Sequence, residues 1–80
     1  MNRDIDRNLY IDFCFLNVYL EKFVNCRDNK DFEGVLDVAQ SIKSLVHIML
    51  YCPNLTIEDK TRLYRIVKNV NYDIKCLLEN

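Results

Sequence analysis

The sequence predicts an all-α fold, an antiparallel three-helix bundle, on three observations. Apolar residues recur at helical spacing in three stretches, and polar turn formers cluster between them. The 80-residue chain also holds a single glycine, Gly34, and a single proline, Pro53, too little punctuation for a hairpin-rich β fold. A hydrophobic content of 50% with 29% charged residues of both signs is the composition of a chain that folds. It forms one domain near the size at which a single core gives marginal stability. Burial between subunits would add to that stability, so a homodimer or higher oligomer is expected.

Helix 1 is predicted over residues 4–26. Ile5, Leu9, Phe13, Leu16, Leu20 and Phe23 repeat at steps of three and four and define its core stripe. A turn of about 100° per residue carries Ile11, Phe15, Val18 and Tyr19 round to the other side, leaving a narrow polar strip through Asn17 and Glu21. A helix apolar on two sides has one side left over in a monomeric bundle, and these four residues are the candidate protein interface. The alternative is a helix 1 that sits centrally and is buried by both neighbours.

The segment Asn25-Cys26-Arg27-Asp28-Asn29-Lys30-Asp31 breaks the pattern, and Asn29 or Asp31 can cap the helix that follows. Helix 2 is predicted over 31–51, with Val35, Val38, Ala39, Ile42, Leu45, Val46 and Met49 inward and Asp37, Gln40, Ser44, His47 and Tyr51 on or near the other side. It reads as conventionally amphipathic. Pro53 ends it, because the residue before a proline is pushed out of helical geometry. Thr56 and Asp59 then resemble a capping box for helix 3, predicted over 57–78. Its stripe is Leu63, Val67, Val70, Ile74 and Leu77, widened by Ile66 and Leu78. Both connections are short, which makes sequential helices antiparallel neighbours.

Few constellations carry chemistry. Cys14, Cys26, Cys52, Cys76 and His47 supply ligand types for zinc, but no two cysteines have CxxC spacing. The bundle would bring the ends of helices 1 and 3 together, so Cys26 and Cys76 could approach while Cys52 lies at the other end. The cysteines are expected as buried, small apolar side chains. His47 reads as a surface or partner-facing residue, since a Cys-His pair needs a cysteine beside it and Cys52 lies off its face. Asp4, Asp6 and Asp12, and Glu58 with Asp59, lie near predicted helix starts, where negative charge favours the helix dipole. No phosphate loop, HExxH, GxSxG or EF-hand pattern occurs. The expectation is therefore no enzyme and no cofactor.

A net charge of −1 and a pI near 5.7 give no global attraction to nucleic acid or anionic lipid. A local patch does exist. Arg62, Arg65, Lys68, Asn69, Tyr72 and Lys75 are predicted on the outer side of helix 3, where basic groups and an aromatic ring could meet phosphates and bases. The helices are too long for a helix-turn-helix reader. Without an apolar leader or a run approaching about 18 apolar residues, a cytoplasmic, membrane-free location is expected. The recurrent Asn, Ile, Lys, Tyr and Asp, as in Asn69-Val70-Asn71-Tyr72-Asp73, reflect a bias that AT-rich coding produces in viruses, phages and cells alike.

The functional expectation is a small helical protein-binding module acting on itself and on another protein, as a virus- or phage-encoded inhibitor or adaptor would. The competing readings are a nucleic-acid-binding regulator that uses helix 3, and an enzyme or ligand binder whose site forms between subunits.

Overall fold

A computed structural model describes residues 9–79. Three helices account for nearly all of them: α1 (Leu9–Asp28), α2 (Phe32–Leu50) and α3 (Ile57–Glu79), with no strand among the described residues. The bundle predicted from the sequence is the observed architecture. Positions 4–8 of the predicted first helix lie outside the described residues.

α1 runs to Asp28, beyond its predicted end at Cys26, because the turn formers there close the helix rather than interrupt it. Asp31 N–H donates to the Cys26 carbonyl at 2.9 Å and Lys30 N–H to the Arg27 carbonyl at 3.1 Å. Lys30 sits between them with φ 58°. These two bonds around a left-handed residue form a Schellman closure, here with lysine where glycine or asparagine is usual. Asp31 then caps α2: its Oδ1 accepts from Gly34 N–H at 3.1 Å and its carbonyl accepts from Val35 N–H at 2.9 Å. Gly34 has a steric reason to be glycine. A Cβ there would lie 2.5 Å from Asp31 Oδ2 and 2.8 Å from Cys26 Sγ.

The second connection folds back on the core. Cys52 N–H donates to the Met49 carbonyl at 3.0 Å and Leu55 N–H to the Cys52 carbonyl at 3.3 Å, with both Cys52 and Leu55 buried. Thr56 Oγ1 accepts from Asp59 N–H at 3.1 Å, the Thr56 half of the anticipated capping box.

α2 packs closely against both neighbours, so it, rather than α1, is the central helix. Its predicted stripe is the middle of the core: Val35, Ala39, Ile42, Val46 and Met49 are buried, with Val38 and Leu45 half-buried. Leu16 and Phe23 enter from α1, and Leu63 and Val70 from α3. The alternative of a central helix 1 is thereby overturned. α2 is also less cleanly amphipathic than expected, since Phe32, Leu36 and Ile48 are exposed. On α3, Leu78 does not widen the stripe: it is 70% exposed, at the last turn of the helix.

α1 and α3 run parallel, and side chains rather than backbones join them. Near their N-terminal ends the Arg62 guanidinium lies 4.8 Å from the centroid of the Phe13 ring. Near their C-terminal ends Arg27 Nη1 donates to Asp73 Oδ2 at 2.9 Å. That hydrogen bond raises the Arg27 pKa above the ordinary arginine value.

Candidate interaction surface

The two sides of α1 differ in exposure. Leu16 and Phe23 are buried and Leu9, Phe13 and Leu20 are half-buried against the core. Opposite them, Ile11, Phe15 and Val18 are 47%, 53% and 47% exposed. Tyr19, the fourth interface candidate, falls at the margin instead, half-buried and packed on the core. Its position 80° from Ile11 on a helix of about 100° per residue turns it toward α2.

From Asp37 to Ile48 on α2 and from Asp12 to Lys22 on α1, the outer sides of the two helices bound an open groove of about 810 Å³. Half-buried Tyr19, Val38 and Leu45 form its floor. Phe15 and Lys22 stand exposed on the α1 rim, and Asp37 and Ile48 on the α2 rim. Asp12 also lines this groove and is only 6% exposed. The sequence reading placed Asp12 among dipole-favouring carboxylates near a helix start. It does lie in the first described turn of α1, but its burial was missed, because its helical angle falls beside the core stripe.

The basic face anticipated on α3 holds together only in part. Arg65, Lys68, Tyr72 and Lys75 are exposed on one side. Arg62 is exposed as well, but its guanidinium leans over the Phe13 ring on the α1 side of that face. Interaction with the Cys76 thiol one turn on raises the Tyr72 phenol above its ordinary pKa. Glu58 and Glu79, both exposed, flank this face at either end of the helix.

The cysteines depart from the expected burial. All four are free, Cys52 is buried, Cys26 and Cys76 are half-buried and Cys14 is exposed on α1. Cys26 faces Gly34 of α2, which accounts for its burial without Cys76. Among the described residues no three His, Cys, Asp or Glu side chains gather as metal ligands would, and no helix is long and apolar enough to cross a membrane. His47 is exposed and meets the Tyr51 ring edge-on, with centroids 5.1 Å apart and planes at 86°. Sequence reasoning did not single out Arg27 and Asp73 as partners. They lie 46 positions apart, and nothing local marks them as a pair.

Comparison with known proteins leaves the chain by itself: no family model, no curated protein and no solved structure matches it.

Proposed function

We propose that this chain is a small protein-binding module that docks through the outer side of α1. The observation that carries the reading is the exposure of Ile11, Phe15 and Val18 on the side of α1 away from the core. From Tyr10 to Leu20 the one charged residue is Asp12, and it is buried. That outer face can therefore be dehydrated without stripping water from an exposed charge, a step that costs several kcal/mol per ion when no partner replaces the water. Interface centres are depleted in charge and enriched in aromatic residues for the same reason. Covering apolar surface returns about 25 cal/mol per Å². Such a module acts by occupying a partner's surface, as an inhibitor or an adaptor does.

A photoreactive amino acid placed at position 15, and separately at position 68 on the outer face of α3, tests this in the native cell. The expected result is protein adducts from position 15 that are lost when Ile11→Asp is added. Adducts to nucleic acid from position 68, with none to protein from position 15, would transfer the function to the basic face of α3.

A further inference from the structure

We propose that the groove between α1 and α2 is the seat of a second copy of this chain, so that α1 and α2 of two molecules close into a four-helix arrangement. The proposal rests on the protein-binding reading of α1, with which it shares Phe15 while Ile11 and Val18 lie outside the groove, and it names the partner. Two properties of the face select a second copy.

The first is charge. Lys22 on the α1 rim and Asp37 on the α2 rim have opposite signs, and among the described residues neither makes an ion pair within the chain. They also stand at one height. Lys22 is six residues before the end of α1 and Asp37 five after the start of α2, and the two helices run antiparallel from the turn that joins them. A two-fold axis along the groove sets α1 of each molecule beside α2 of the other. Lys22 of each copy then meets Asp37 of the other, giving two equivalent ion pairs from one operation, the self-complementarity that an isologous dimer requires. The apolar rims match under the same operation. Phe15 is 13 residues from the end of α1, level with Ser44 and a turn below Ile48, which lie 12 and 16 residues from the start of α2. Phe15 of one copy is thus seated beneath Ile48 of the other.

The second property is area. At about 1.5 Å per residue, α1 and α2 are each roughly 30 Å long, and helices packed about 8–10 Å apart present a face some 20 Å wide. In plan that is on the order of 600 Å². Once corrugated by side chains, it approaches the roughly 800 Å² per partner of a standard interface. The outer stripe of α1 alone supplies about half as much. A copy seated in the groove uses the whole face.

Charge reversal with mixing tests the arrangement on the full chain, read as particle mass by light scattering across a concentration series. The wild type is expected to reach twice the 9.6 kDa chain mass. Lys22→Glu faces Asp37 of its twin, and Asp37→Lys faces Lys22 of its twin. Each variant alone should therefore self-associate about ten- to a hundredfold more weakly at low salt. Mixed in equal amounts, the two variants regain both pairs and the dimer mass. Ser44→Arg, which puts bulk at the height of Phe15, dissociates the dimer by a separate route. Circular dichroism on each variant verifies that helicity is kept.

A dimer that ignores Ser44→Arg, or a mixture no heavier than its components, overturns the groove arrangement. A wild type that stays monomeric at every concentration, while position 15 still forms adducts with another protein, overturns the second copy and leaves the binding reading intact. A monomer with no protein adduct at position 15 overturns both.

Discussion

The outer face of α1 and the outer face of α3 are both exposed helical surfaces on one small bundle, and they differ in charge. Along α1 Ile11, Phe15 and Val18 are exposed together with Tyr10, Cys14 and Asn17, with no exposed charge between Tyr10 and Leu20. Along α3 the charged positions are Arg65, Lys68 and Lys75, with Ile57, Tyr64 and Tyr72 exposed beside them and Glu58 and Glu79 toward either end. Water solvates the second face at no cost to the folded state, whereas the first leaves apolar area that burial would stabilise. The difference teaches that the helices divide their tasks: α2 holds the core, α3 gives the bundle a wettable side, and α1 keeps an apolar side in reserve.

The largest expected effect separates the two sides of α1 at adjacent residues. Leu16→Ala removes a side chain that is 1% exposed and should cost about 2–5 kcal/mol in urea unfolding. Phe15→Ala, measured at dilute concentration, should stay within about 1 kcal/mol of wild type. Equal losses would show that both sides of α1 belong to the core. Next in size is the join between α1 and α3. Arg27→Ala removes a half-exposed ion pair with Asp73 and should lower stability by about 0.5–1 kcal/mol, the upper part of the range for exposed pairs. A loss above about 3 kcal/mol would place that pair in the core instead.

On the far side of α3, Arg65→Glu with Lys68→Glu should move stability by no more than about 0.5 kcal/mol, since both side chains are exposed. The same pair should leave adducts from position 15 unchanged. The smallest effect is a titration. The Cys76 thiol raises the Tyr72 phenol, so in the folded chain Tyr72 should ionise above the ordinary tyrosine value of about 10. A group whose pKa is raised on folding lends its stability below the unfolded value and loses it as pH climbs through the folded one. Phenolate absorbance compared with Tyr72→Phe isolates the group. Cys76→Ala should bring its ionisation back toward the ordinary range, and an unmoved titration would disconnect the two side chains.

The sequence by itself determined the three helices, the places where they turn and the core side of each. Those properties are local: a stripe at steps of three and four, Asp31 and Thr56 at helix starts, and Pro53 after a helix end are all set by neighbours within a few residues. The exposed apolar side of α1 was legible for the same reason, through Ile11, Phe15 and Val18. Tertiary structure alone decided which helix stands in the middle and how the others turn toward it. Periodicity gives the angle of each side chain about its own helix but not the azimuth of the neighbouring helix. Tyr19 therefore went to the groove rather than to the outer face, Asp12 is buried beside it, Arg62 leans over Phe13, and Cys26 packs against Gly34. The join between Arg27 and Asp73 spans 46 positions and exists only because the folded helices run parallel there. The groove with Lys22 and Asp37 on its rims is likewise a product of two helices at one height, which no single helix encodes.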